Sequence, residues 1–244
     1  MRISVISLYA LMLLAGCAGM TPEEAKVSEK QQLTDAMTSL RDGRPEQSIA
    51  QFQAIIDKAD NDQQKTQAEI GLAYAYYKND DFDEAYARCN LFIKDNPTHP
   101  QLDYVYYLRG LTKLKQGEIH LQRLLAAKAP TNDYPEELRE AYDYFSELIK
   151  FFPQSDYLDQ AYQQVDTIRQ RLAKYELHLA HNQFALGNYK EAANHAEYVN
   201  KYYSDAESRK YALTIMVKAY KELDMPRQLN AAERQLREIN YQQE

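Results

Sequence analysis

Residues 66–97, TQAEIGLAYAYYKNDDFDEAYARCNLFIKDNP, decide the fold. Leu72, Ala73 and Tyr76 place small or apolar groups along one stripe of a first helix. Asn79-Asp80-Asp81 then interrupts, because Asn and Asp hydrogen-bond their own backbone and favour turns. Phe82, Ala85, Cys89 and Phe92 resume a helical stripe, with Asp81 placed to cap it, and Pro97 forbids its continuation. Small residues at Ala73 and Ala85 allow the two helices to approach closely. The unit is about the length of one tetratricopeptide repeat, roughly 34 residues. A lone hairpin of this kind cannot bury its apolar face, so neighbours are required.

The rest of the chain supplies them. Ahead of it, Ala36 and Leu40, a Gly43-Arg44-Pro45 turn, and Ser48, Phe52, Ile55 and Ile56 make a first hairpin. Ser48 and Ala85 are matching small positions 37 residues apart. Behind it, Leu102 to Gln116 reads as a helix with Tyr106 and Gly110 at packing positions, and Gly117 as its end. Glu118 to Asp133 then intervenes before Glu136 to Phe152, whose stripe is Ala141, Phe145 and Leu148. Ala141 to Pro153 spans 12 positions, as does Ala85 to Pro97, so this is a third repeat carrying an insertion. Asp156 to Leu186 has no Gly or Pro and reads as one long helix or two nearly continuous ones, on the order of 45 Å. Gly187 to Ala192 restarts the pattern, and 205–223 with 227–241 form a last pair around Asp224-Met225-Pro226. The expectation is an all-α superhelical solenoid of about five tetratricopeptide hairpins.

Composition agrees. Across 244 residues there are 7 Gly, 8 Pro, 21 Tyr and no Trp, which suits a helical chain with few breakers. A net charge of −7 leaves no basic excess to neutralise phosphates, so nucleic acid is not an expected partner. Arg2, the mainly apolar run Ile3 to Ala15, and Leu14-Ala15-Gly16-Cys17 form an export signal too short to span a bilayer comfortably. Its last four residues resemble the lipobox of bacterial lipoproteins, which implies cleavage before Cys17 and lipidation on it. Several acyl chains anchor stably where one is marginal. Ala18 in place of aspartate implies, through the same resemblance, the outer membrane. Residues 1–16 are thus read as signal peptide, 17–27 as lipidated tether, 28–153 as repeats 1–3 and 154–244 as repeats 4–5. Cys89, the remaining cysteine, has no partner for an internal disulfide and sits on an apolar stripe, which makes it a packing residue.

Catalytic patterns are sparse. There is no glycine-rich phosphate loop, no zinc-type cysteine spacing and no nucleophile elbow. His178 and His181 share a helix face with His195 on the next helix, a weak metal pattern against a solvated face. No metal, cofactor or enzymatic activity is expected. What remains is a binding surface. First helices of such hairpins line a concave groove, which by spacing would display Gln67, Ile70, Tyr74, Tyr77 and Lys78. Tyr104, Tyr107 and Leu111 would extend it, with Leu33, Met37 and Leu40 alongside. Tyrosines suit an extended peptide with aromatic residues, since each offers contact area and a hydrogen bond at low entropic cost. Many of the 21 tyrosines are equally expected to fill contacts between repeats.

YAYYKN at 74–79, NPTHPQLDYVYYLRGLT at 96–112 and RLAKYE at 171–176 resemble the BamD family of outer-membrane protein assembly factors. That family comprises five-repeat lipoproteins of the β-barrel assembly machinery. The resemblance implies that the C-terminal repeats dock on the periplasmic domain of BamA nearest the barrel. It further implies that the N-terminal repeats recognise unfolded β-barrel proteins and that BamC lies along the N-terminal half. Two departures stand out. The family's aromatic-proline-glycine segment between repeats 1 and 2 reads Asp57 to Asp62 here, and His195 stands where the family carries an arginine that pairs with an acid on BamA. Lys190, His195 and Arg209 are the expected docking residues. Another envelope repeat lipoprotein, serving pilus secretin assembly or peptidoglycan-linked work, would share the lipobox and repeats but not the 96–112 string. An envelope enzyme on a repeat scaffold would need a catalytic cluster.

Overall fold

The computed structural model describes residues 22–126, 133–203 and 208–241. It contains ten α-helices and, among the described residues, no strand. They pair as α1 (Pro22–Arg41) with α2 (Pro45–Lys58), α3 (Asp62–Lys78) with α4 (Phe82–Asp95), and α5 (Leu102–Ala126) with α6 (Glu136–Phe151). The series closes with α7 (Leu158–Ala185) and α8 (Tyr189–Tyr202), then α9 (Ser208–Glu222) and α10 (Pro226–Tyr241). The five tetratricopeptide-type hairpins read from the sequence are present. α1 starts at Pro22 and so takes in residues read as tether.

Four of the five hairpins turn by one device. Gly43, Asp80, Gly187 and Asp224 have φ of 75, 61, 80 and 51°. The next residue in each case donates its backbone N–H five residues back, as in Arg44 to Ser39 at 2.9 Å and Asp81 to Tyr76 at 3.0 Å. Asn188 to Gln183 and Met225 to Tyr220 repeat the bond at 2.9 Å. This is the Schellman closure, which satisfies the last carbonyls of the first helix and reverses the chain. The second helix begins two residues after the left-handed one, with proline pre-set for a first turn at Pro45 and Pro226. Asp81 occupies the N-cap of α4, but its side chain makes no cap bond; Asp81 Oδ2 instead accepts from Asn79 Nδ2 at 2.7 Å. The Schellman bond has already fixed the backbone there.

The third hairpin departs, and it corrects the reading of Gly117 as a helix end. α5 passes through Gly117 to Ala126. A Cβ at Gly117 would lie 2.7 Å from the backbone nitrogen of Leu138 and 2.7 Å from its Cγ. The glycine is therefore a seat for α6 and not a breaker. Gly71 and Gly110 serve alike against the rings of Phe52 and Phe145.

The stripes expected on α4 and α6 are buried, whereas Tyr76 of α3 and Ile56 of α2 are half-buried. Phe82, Ala85, Cys89 and Phe92 point inward on α4, as do Ala141, Phe145 and Leu148 on α6. The Cys89 thiol is fully buried and pushed up to about 12 by desolvation, so it stays protonated and acts as packing. First helices touch first helices, α1 on α3, α3 on α5, α5 on α7 and α7 on α9. They make one layer, and the second helices cover its other side. Among the buried polar residues is Arg109, which lies between the rings of Tyr106 and Tyr144 at 4.6 and 4.0 Å. Arg109 Nη2 donates to Glu147 at 2.6 Å.

Candidate functional site

The inner layer places five of the expected groove residues around one cavity of about 290 Å³. Gln67, Ile70 and Tyr74 come from α3 and Tyr104 from α5, with Met37 of α1 at one end and Tyr157 before α7 at the other. The helical spacing of 67, 70 and 74 aligns them along α3, and contact between neighbouring first helices brings α1 and α5 alongside. Tyr157 was not foreseen. It belongs to the loop ahead of α7, and only the fold carries it to Tyr104 and Tyr107, at ring distances of 5.4 and 5.1 Å.

Tyr77 and Tyr107 do not line this cavity but extend its aromatic wall. Tyr77 stacks on Tyr74 at 6.3 Å and Tyr107 stacks on Tyr157 at 18°. Lys78 is exposed at the end of α3 and outside the lining. Ile70 is only 7% exposed, so it serves both the core and the cavity floor. Leu40 is buried against Phe52 and its neighbours; it belongs to the core and not to the groove. Burial raises the hydroxyl pKa of Tyr77, Tyr104, Tyr107 and Tyr157, so all four remain neutral phenols able to donate or accept.

A second cleft of about 730 Å³ shares Gln67 and Gln101 with the first and continues past Thr66, Asp62 and Asp95 to His99. The combined surface thus has an aromatic end and a polar, acidic end, joined by two glutamine side chains. An amide side chain offers both a donor and acceptors, the complement of an extended peptide backbone. Nothing in this lining supplies a nucleophile with an adjacent base.

The expected docking residues lie elsewhere and do not converge. Lys190 is exposed in the first turn of α8, and Arg209 Nε donates to Asn200 Oδ1 at 3.0 Å near the other end of that helix. The two regions are about 15 Å apart along α8. His195 is partly exposed, and its Nδ1 lies 2.8 Å from Oε2 of Glu176 on α7. Its imidazole is therefore already tied within the chain. His178 Nε2 is 2.9 Å from Asn182 Nδ2, and His181 is exposed. Among the described residues no group of three or more His, Cys, Asp or Glu is arranged for a metal. Among them, too, no helix is long and apolar enough to cross a membrane. Cys17 lies outside the described residues.

The family profile YfiO, described as outer membrane lipoprotein, matches residues 25–236. The chain is 31% identical over 218 residues to the outer membrane protein assembly factor BamD of Vibrio cholerae serotype O1, covering 89% of this chain and 90% of that protein. It is 29% identical over 236 residues to the protein of the same name from Neisseria meningitidis serogroup B, covering 94% and 88%. The Pasteurella multocida protein of that name is 27% identical over 220 residues, covering 90% and 84%.

Proposed function

The chain belongs to the YfiO family of outer membrane lipoproteins, and from that membership we propose that it is a non-catalytic scaffold for assembling outer-membrane β-barrel proteins. The observation that carries this reading is similarity along nearly the whole chain to relatives named outer membrane protein assembly factors. In this reading Cys17 is lipidated and holds the repeats at the periplasmic face of the outer membrane. The C-terminal repeats dock on the periplasmic domain of BamA, with Lys190, His195 and Arg209 at or near the contact. The N-terminal repeats receive unfolded β-barrel segments, and BamC lies along that half. The groove supports the substrate role, since neutral phenols and paired amides around an apolar pocket suit an extended chain bearing aromatic side chains.

The test is capture of partners from detergent-solubilised outer membranes by the tagged, full-length protein. Recovery of BamA is expected; its absence sinks the proposal in favour of another envelope repeat scaffold. The anchor is tested separately. Cys17→Ala should move the protein from the membrane to the soluble fraction, and unchanged membrane association would refute lipidation as the tether.

A further inference from the structure

A second site lies on the opposite layer, in the C-terminal half. α6 and α8 each pack on α7 but not on each other, which leaves a cleft between them floored by α7. Its volume is about 690 Å³, within the range of ligand clefts. Five tyrosines line it: Tyr134 and Tyr142 from the α6 side, and Tyr198, Tyr202 and Tyr203 from the α8 side. None of the expected groove or docking residues is among its lining residues.

The cleft is built differently at depth and at its rim. Deep inside, burial raises the hydroxyl pKa of Tyr134 and Tyr203, so both stay neutral phenols, and Glu176 Oε2 is taken by His195 Nδ1 at 2.8 Å. At the rim, Tyr198 and Tyr202 are 42% and 50% exposed, with ring centroids 4.6 Å apart. Large aromatic surface of this kind is unusual unless it is covered at times. Three cations ring it. Arg139 rises from α6, Arg169 from α7 has Nη2 3.4 Å from the Tyr202 carbonyl, and Lys201 Nζ lies 4.7 Å from the Tyr202 ring centroid. Against them stand Glu136, Glu176 and Asp143. Glu176 is held by His195, and Glu136 is held by Arg139 at 3.3 Å with both side chains more than half exposed. Such a surface pair contributes little and is readily exchanged for a partner's carboxylate. Tyrosine and arginine together are the residues that concentrate binding energy at interfaces.

We propose that the cleft between α6 and α8 binds an acidic segment of a partner protein that inserts an aromatic side chain between the tyrosines. The carboxylates of that segment pair with Arg139, Arg169 and Lys201, while the ring packs on Tyr198 and Tyr202. Because the cleft opens on the layer opposite the inner groove, both can be filled at once.

The probe is a fluorescein-labelled peptide, Gly-Asp-Phe-Asp-Gly, titrated with the full-length protein in non-ionic detergent and followed by fluorescence anisotropy. Gly-Lys-Phe-Lys-Gly is the charge-reversed control. Saturable binding of the acidic peptide is expected, with clear preference over the basic one. Arg139→Glu and Tyr202→Ala should each weaken it roughly tenfold, whereas Arg139→Lys and the inner-groove change Tyr104→Ala should leave it nearly unchanged. Arg139 is two-thirds exposed in its side chain, so the variants should keep the parent far-ultraviolet circular dichroism. Absence of saturable binding, equal or stronger binding of the basic peptide, or indifference to both Arg139→Glu and Tyr202→Ala overturns the proposal.

Discussion

Gly117→Ala separates a tertiary role for this glycine from a local one. In an exposed helix the change would stabilise by about 1 kcal/mol, because alanine loses less backbone entropy. Here the new methyl would sit 2.7 Å from the Leu138 nitrogen, where ordinary contact begins near 3.4 Å. α6 must therefore withdraw from α5 by roughly 0.7 Å, since a backbone atom cannot swing aside as a side chain can. Leu138 is fully buried, and a gap of that size forfeits about a quarter to a half of each dispersion contact it spans. Overpacking of this type costs about 1–3 kcal/mol, and a backbone clash belongs at the upper end. Set against the propensity gain, the net is destabilisation by about 1–2 kcal/mol. For a chain of this length the melting temperature should fall by on the order of 2–8 °C. Thermal denaturation followed by circular dichroism measures the shift, and hydrogen exchange should place the loss of protection in α5 and α6. A rise in melting temperature would refute the argument, because it would mean that α5 treats position 117 as open helix surface.

Other expectations follow from single contacts. His120 is held by Glu137 at 2.8 Å and Asp133 at 3.0 Å, and these bonds, Glu137 first, raise its pKa above 6.5. The raised histidine contributes stability below pH 6.5 that is lost as pH rises through its folded value. Hydrogen bonding from His120 helps to lower the Glu137 pKa against the effect of burial, and that contribution is lost as pH falls from 4.5. The melting-temperature advantage over His120→Gln should therefore peak between pH 4.5 and 6.5 and fade in alkali; a pH-independent difference would count against the clamp. Arg109→Lys keeps the charge but loses planar stacking between Tyr106 and Tyr144, so urea denaturation should show a loss of about 1–2 kcal/mol, and no loss would mean the sandwich is inert. Charge reversal at Lys190 or Arg209 should weaken capture of BamA more than the same change at Lys65, and equal effects would place the docking half wrongly.

The hairpins were legible because their signals are local. Asn79 to Asp81 and Gly187-Asn188 announce a reversal within a few residues, and the left-handed Asp80 and Gly187 are the physical cause. Ala73 and Ala85 were legible as close-packing positions because a small side chain on an apolar stripe has few other uses. Gly117 was misread because glycine carries two meanings, and the approach of Leu138 from the next helix cannot be seen in the α5 sequence alone. The groove was half visible. Gln67, Ile70 and Tyr74 share one helix face, whereas Tyr157 joins them only when the loop before α7 is placed beside α5. The cleft between α6 and α8 was illegible for the same reason, since its walls come from positions 134–143, 169–176 and 198–203. The four-residue spacing of Tyr198 and Tyr202 beside Lys201 was its one signal in the sequence.

The tyrosine wall of the inner groove also has an optical consequence. The chain holds 21 Tyr and no Trp, so its ultraviolet emission is that of phenols alone. Phenol emission overlaps indole absorption, and energy passes between them efficiently only at short range. A tryptophan carried into the pocket between Tyr74, Tyr104 and Tyr157 would be the sole indole present and would sit among several donors. Excitation of the tyrosines would then light the guest from within. The groove is thus an antenna as well as a surface, and occupancy can be read from the colour of the emitted light without labelling either molecule.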